Sequence, residues 1–415
     1  MSAEDVPEGW ELIGDADAPR AHFGLGPKPE LITSVRSLKD LMDRVLGRGE
    51  YDRTRQEDAG WAHVVPFPFL AMVGLREART ALLLSAIHPG LGGVLLAGPS
   101  GVGKSILARS FAAILPPVVR SLCYYGCLPE DIERGGLEAV CADCARKYQA
   151  GEPLATESPA RFFALDPTVT LDDLIGQPSP PDQGPRFRKG LLAQADGHVV
   201  YLDDLARYPP LVVEAVLEAA AMGYYTVQRP GWTASYRSRF LLVASVDPTR
   251  TPVPQPWLER FALRAVLHPP QDDEARQQVY EHVRAWQEDP GGFAALYRDE
   301  TEALRAEIHA ARVRLPRVRV APELVRAAIQ GVQRLGLRSP RAEYAWLEAA
   351  RAHAAAEGRE YVRAADLDAT ATLALRWRET DLTPEAWTTT EAADARRKDR
   401  LAEVLAPFAE KGGEA

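Results

Sequence analysis

Between Pro66 and about Leu267 the chain alternates short, mostly apolar runs with amphipathic stretches of helical spacing. The runs Gly93–Ala97, Arg161–Leu165, His198–Leu202 and Phe240–Ser245 read as buried strands, with helices between them. That alternation predicts an α/β domain over residues 65–268 with a mainly parallel sheet, since each helical crossover returns the chain in the same direction. Tyr224–Arg229 alternates and then meets Pro230-Gly231, which predicts a β-hairpin. Pro248–Pro256 is proline-rich and leads to a short helix expected to end near Arg264. From Gln271 the pattern becomes helical, broken at Asp289–Gly292 and Leu315–Pro322, so residues 269–378 read as an all-helical domain. Residues 1–64 read as a polar extension with one amphipathic helix, Leu38–Leu46, and 379–415 as a charged tail with a short helix, Leu401–Phe408. Gly176–Gly190 reads as an exposed insertion.

Composition changes this picture little. The 415 residues are 46% hydrophobic and 26% charged, ordinary for a globular protein. A net charge of −9 argues against a general nucleic-acid binder. No run approaches about 18 uninterrupted apolar residues, so no membrane helix is expected. The first residues lack the basic start and apolar core of a signal peptide, and the expected location is cytoplasmic.

Candidate chemistry begins at Gly98-Pro99-Ser100-Gly101-Val102-Gly103-Lys104-Ser105, which fills every fixed position of G-x-x-x-x-G-K-[ST]. A strand-like run precedes it and a helical one follows, the context a phosphate-binding loop requires. Glycines let backbone N–H groups turn inward, and the helix start adds its positive dipole end. Lys104 would neutralise β/γ oxygens and the Ser105 hydroxyl would ligate Mg²⁺. ATP with Mg²⁺ is therefore the expected cofactor.

Such a loop needs a second acidic element at another strand end. His198–Leu202 supplies it in Asp203, for the metal's water shell, and Asp204, as the base that polarises attacking water. The next strand ends at Asp247, within reach of the γ-phosphate or its water. Arg260, after Trp257-Leu258-Glu259, stands where a cation can face a neighbouring subunit's nucleotide. Arg341, opening a helix of the second domain, is placed to close over the phosphates. Arg312, Arg314, Arg317 and Arg319 read as a solvated basic loop between helices.

All four cysteines lie within 22 residues, as Cys123-x₃-Cys127-x₁₃-Cys141-x₂-Cys144. Two close pairs predict a tetrahedral, structural Zn²⁺ site in an insertion at 121–150. The looser Cys-x₃-Cys spacing leaves an iron–sulfur cluster or a redox pair as alternatives.

The run Phe67–Gly74, followed by Ala81–Val94, resembles the entry to the ATPase subunit I family of magnesium chelatase, within the MoxR-related clade of AAA+ proteins. Gly223–Gly231 through Ser238–Phe240 resembles that family's pre-sensor hairpin, and Gly336–Arg341 with Ala349–Arg359 its second-sensor helical domain. The resemblance spans about Pro66 to Arg378. It implies an AAA+ core and helical lid, with ATP held between neighbours of a ring, commonly a hexamer. The motor would act on a partner complex that inserts Mg²⁺ into a protoporphyrin. It further implies that Asp247 is sensor 1, Arg260 the arginine finger, Arg341 sensor 2 and Gly176–Gly190 the helix-two insertion.

The chain departs from that pattern at several points. Asp203-Asp204 stands where the family ends Asp-Glu, Asp247 where Asn is usual, and Pro254 where another arginine often precedes the finger. Two rival expectations follow. One is a MoxR-like remodelling or metal-insertion chaperone working with a von Willebrand A-type (VWA) partner in trans, since this chain has no Asp-x-Ser-x-Ser of its own. The other is a nucleotide-binding scaffold that hydrolyses slowly or not at all, motivated by Asp204 and Asp247.

Overall fold

The computed structural model describes residues 65–178, 187–229 and 232–409. The extension 1–64, with its expected helix at Leu38–Leu46, lies outside the described residues, as do the centre of the 176–190 insertion and the hairpin turn. The described strands, in chain order, are β1 (Gly93–Ala97), β2 (Val118–Ser121), β3 (Ala155–Ser158), β4 (Phe162–Leu165), β5 (Gly176–Pro178), β6 (Phe187–Lys189), β7 (Val199–Leu202), β8 (Tyr224–Arg229), β9 (Trp232–Arg237), β10 (Leu241–Val246) and β11 (Phe261–Val266). Five of them form the central sheet in the order β11-β1-β10-β7-β4, every pairing parallel.

Period-two geometry sends alternate side chains to opposite faces of that sheet. Val94 and Leu96 of β1 join one core with Val199 and Tyr201 of β7 and Leu241 and Val243 of β10. Leu95, Ala97, Val200, Leu202, Leu242 and Ala244 form the core on the other face. Both faces are covered, which is why these strands read as continuous apolar runs rather than alternating ones.

One expectation is overturned here. No helix runs to Arg264: the helix Gln255–Leu258 is short, and Phe261–Val266 is β11, buried at every position. Pairing with β1 and two covered faces outweigh local helix preference.

The described helices after β11 are Asp273–Glu288, Pro290–Ala295, Arg298–Arg314, Pro322–Arg334, Pro340–Ala356, Ala364–Leu375, Pro384–Thr388 and Thr390–Ala409. Buried alanines recur in both Pro340–Ala356 and Ala364–Leu375, which pack against each other. The helix expected over Leu401–Phe408 begins at Thr390, and Leu401, Val404 and Leu405 are buried in the core of the preceding helices. The basic stretch is solvated only in part: Arg317 and Arg319 are exposed between the helices, whereas Arg312 and Arg314 belong to the end of Arg298–Arg314 and are half-buried. Arg312 Nε donates to Ala86 O at 2.6 Å and Arg314 Nη1 to Ala355 O at 2.6 Å, each at the last turn of a helix. Burial pushes the Arg312 guanidinium down to about 10. Among the described residues no helix is long and apolar enough to cross a membrane.

Candidate active site and metal centre

The phosphate loop leaves the sheet between its two neighbours of β1. Gly98 N donates to Val246 O at 3.1 Å, and a Cβ on Gly98 would lie 2.6 Å from Leu267 O. Only glycine fits so close a backbone approach. Gly101 and Gly103 take φ of 86° and 93°, and the helix Lys104–Ala113 starts immediately after. Lys104 curls over the loop, its Nζ donating to Gly98 O at 2.6 Å and Pro99 O at 2.8 Å. Burial pushes its amine below the usual value, and the charges of Asp247, Asp203 and Asp204 pull it back in part.

A cavity of about 380 Å³ opens above the loop, and Lys104, Ser105, Asp203, Asp204 and Asp247 all line it. This volume lies within the range of small-molecule and cofactor pockets.

Asp203 is held by hydroxyls. Ser105 Oγ, Tyr201 OH and Ser245 Oγ lie 3.2, 2.9 and 2.8 Å from its Oδ1. Tyr201 OH is also 3.2 Å from Ser105 Oγ, which joins the end of β7 to the first turn of the loop helix. Behind them Asp203 N donates to Tyr208 OH at 3.1 Å, and that hydroxyl donates to Leu165 O at 2.7 Å.

Asp204 takes a left-handed backbone at φ 58°, with its N–H on Ser245 Oγ at 2.9 Å. Non-glycine residues held there carry strain that clusters at functional sites, and Asp is among those that tolerate it best. Burial raises its carboxyl above the ordinary value. Arg207 pulls the other way, and the charges of Asp203 and Asp247 push further up.

Asp247 is buried and fully engaged. It accepts from Ser100 N at 3.0 Å, and from Thr249 N at 3.1 Å and Thr249 Oγ1 at 2.6 Å, while Arg250 Nε lies 3.4 Å away. Burial acts to raise its carboxyl, but the Thr249 hydrogen bonds and the Lys104 charge outweigh it and hold the group below the ordinary value. Two arginines that no sequence motif marked, Arg207 and Arg250, also line the cavity. Tyr201 and Ser245 escaped notice too, because inside a strand they read as core.

Arg260 and Arg341 are not brought to this cavity. Arg260 is exposed on the turn after Gln255–Leu258, and Arg341 is exposed in the first turn of Pro340–Ala356.

The insertion between the antiparallel β2 and β3 gathers its four cysteines, all free thiols, with sulfurs within 4.8 Å of one another. Cys123 Sγ is 3.8 Å from Cys127 Sγ and 3.6 Å from Cys141 Sγ. A tetrahedron of sulfurs at a Zn–S distance of about 2.3 Å has edges of about 3.8 Å, so this donor set fits Zn²⁺. At these separations no two of the sulfurs are bonded as a disulfide, whose sulfurs stand about 2.05 Å apart. Tyr125 N lies 3.2 Å from Cys123 Sγ and Cys141 N 3.4 Å from Cys127 Sγ, donors suited to thiolates. Burial pushes the Cys127 thiol up to about 11. The insertion is tied to the hairpin by Arg237, whose Nη2 lies 2.7 Å from each Asp131 oxygen.

Residues 69–256 match the family of magnesium chelatase, subunit ChlI, and residues 325–399 match the AAA lid domain. A magnesium-chelatase subunit ChlI homolog of Methanocaldococcus jannaschii is 30% identical over 74% of this chain and 84% of its own length. The magnesium-chelatase 38 kDa subunit of Acidiphilium rubrum is 32% identical over 75% of this chain and 90% of its own. A solved structure from Cytophaga hutchinsonii aligns over 88% of this chain and 98% of its own with a TM-score of 0.53 at 18% identity, a likeness of fold alone. With the phosphate loop, the acidic strand ends and the helical lid in place, these matches put the chain in the magnesium chelatase subunit I family of AAA+ proteins.

Proposed function

We propose that the chain is a Mg²⁺-dependent ATPase motor that works as a ring, most simply a hexamer, and drives metal insertion into a tetrapyrrole by a partner complex. One observation carries the reading: a single cavity collects Lys104 and Ser105 from the loop with Asp203, Asp204 and Asp247 from two strand ends. In this reading the loop amides and Lys104 bind the phosphates, and Ser105 and Asp203 hold Mg²⁺, which would screen the phosphate charge. Asp204 takes a proton from the attacking water. Asp247, tethered to Ser100 and Thr249, sets the loop's position beside the γ-phosphate. Arg260 serves the neighbour's site in trans, and Arg341 moves with the lid. The Cys₄ insertion holds a structural Zn²⁺, and a partner with a VWA domain acts in trans. The reaction belongs in the cytoplasm.

The test is steady-state ATP hydrolysis by the purified chain, followed by reconstitution with chelatase partner subunits and fluorescence of the metallated porphyrin. Hydrolysis lost in Lys104→Ala, with porphyrin metallation dependent on the intact chain, is expected. Metallation that proceeds equally well with Lys104→Ala would sink the motor reading. Hydrolysis without metallation would favour a MoxR-like chaperone, and nucleotide binding without hydrolysis the scaffold.

A further inference from the structure

The turn that carries Arg260 is built from two parts of the chain more than a hundred residues apart. Val253 and Leu382 exchange both backbone hydrogen bonds at 3.0 Å, an antiparallel bridge between the segment before the turn and the chain after the helix Ala364–Leu375. Gln255 N donates to Asp381 Oδ1 at 2.7 Å and Gln255 Nε2 to Arg378 O at 3.0 Å. Arg378, buried, donates to Ala262 O at 3.1 Å and lies 3.4 Å from Glu259 Oε2. From the sheet side the fully buried Arg264 places Nε and Nη2 on Leu258 O at 3.1 and 2.5 Å, and its Nη1 on Arg376 O at 2.6 Å. Trp377, held at φ 49°, inserts its ring into the same core as Leu258 and Leu382.

Leu258 and Glu259, the two residues before Arg260, are therefore gripped by two buried guanidiniums, Arg264 from β11 and Arg378 from the segment after the helix Ala364–Leu375. Neither grip is needed to close the phosphate cavity, which these residues do not line. Buried ion pairs contribute little net stability beside apolar packing, yet they hold a fixed geometry. Glu259 Oε1 is buried with no hydrogen-bond partner among the described residues, a cost accepted at this position.

We infer that Glu259, Arg378 and Asp381 are positioning residues that fix the Arg260 turn against the sheet edge in the geometry from which Arg260 reaches a neighbour's nucleotide. The inference rests on the proposed trans role of Arg260. Arg378 grips Glu259, and Asp381 holds the start of the finger helix at Gln255.

The test uses full-length protein and mixed-subunit ATPase assays. Lys104→Ala subunits keep an intact Arg260, and Arg260→Ala subunits keep an intact phosphate loop. Mixing these two should restore hydrolysis above either alone. Two further variants probe the grip: Asp381→Ala, at an exposed residue and so compatible with folding, and the double replacement Glu259→Leu with Arg378→Met, which leaves no buried charge unpaired. Each should lower kcat about tenfold while KM for ATP changes less than about twofold, the signature of an interaction made only in the transition state. Each should also be rescued by Lys104→Ala subunits, which a merely destabilised protein would not be. Full kcat in both variants, or loss without rescue while the Arg260→Ala mixture is rescued, overturns the positioning role and spares the trans role. Failure of the Arg260→Ala mixture removes the trans role and the positioning role with it.

Discussion

Asp247 accepts the Ser100 amide at 3.0 Å, so the carboxylate at the end of β10 is fastened to the phosphate loop itself. A negative group near a γ-phosphate site is unfavourable by charge, but here it holds the loop shape through a hydrogen bond. The two effects separate in Asp247→Asn. Its amide must turn NH₂ toward Ser100 or Thr249, giving up an acceptor and about 1 kcal/mol of stability. Removing the charge should favour ATP by a similar amount. Thermal melting should therefore show a lower Tm without nucleotide and a larger upward shift with a non-hydrolysable analogue. An unchanged nucleotide-induced shift would contradict the placement of phosphate beside Asp247.

Asp204 supplies a pH dependence. Burial and the neighbouring acids raise its carboxyl, and only the ionised form accepts a proton. Hydrolysis should fall, as pH drops, at a higher pH than an ordinary aspartate would give. Asp204→Glu, which restores the missing methylene, should raise kcat about tenfold, since water positioning is sensitive to such displacements. No gain would mean that the shortened acid does not limit the rate.

Tyr201 bridges Asp203 and Ser105 from inside β7. Tyr201→Phe removes one charge-assisted hydrogen bond, about 1.5 kcal/mol. The Mg²⁺ concentration for half-maximal hydrolysis should rise about tenfold, with KM for ATP at saturating Mg²⁺ moving far less. An unaltered Mg²⁺ titration would exclude a role for this hydroxyl in holding the metal-side groups.

The cysteine cluster predicts about one zinc per chain by metal analysis, lost in Cys144→Ser. Chelation should lower Tm and release the insertion from Arg237, seen as faster amide exchange in β8 and β9. Less than about half an equivalent of metal in fresh protein would count against the site.

Asp366 tests the lid. It is fully buried and receives Arg359 at 2.6 and 2.8 Å, His353 Nδ1 at 2.7 Å and Arg363 N at 2.7 Å. Burial alone would raise its carboxyl, but the Arg359 and His353 contacts hold it down at about 2 against an ordinary 3.8. Because the folded value is the lower one, this stabilisation, about 2 kcal/mol, is complete above the unfolded value and is lost as pH falls through the folded one. Asp366→Asn should cost about 3 kcal/mol at neutral pH. Urea unfolding should show the gap to wild type narrowing on acidification, and a gap independent of pH would refute the ion-pair account.

The phosphate loop, the acidic strand ends and the cysteine spacing were legible because their constraints are local. A glycine loop, a carboxylate after an apolar run and paired thiols each carry their chemistry within a few neighbouring residues. Most strands of the central sheet were legible for a related reason: burial on both faces leaves an apolar run whatever the neighbours are. Phe261–Val266 was misread as helical because its strand state comes from pairing with β1, far away in sequence. Arg312 was misread as solvated because its partner carbonyl belongs to another helix. Tyr201, Ser245, Arg264 and Arg378 carried no local mark at all. Sequence alone determined the glycine loop between strand and helix, the acids at the strand ends and the spacing of the four cysteines. Tertiary structure decided which hydroxyls serve Asp203 and which buried arginines grip the Arg260 turn, because a hydrogen bond or ion pair depends on distance in space and not along the chain.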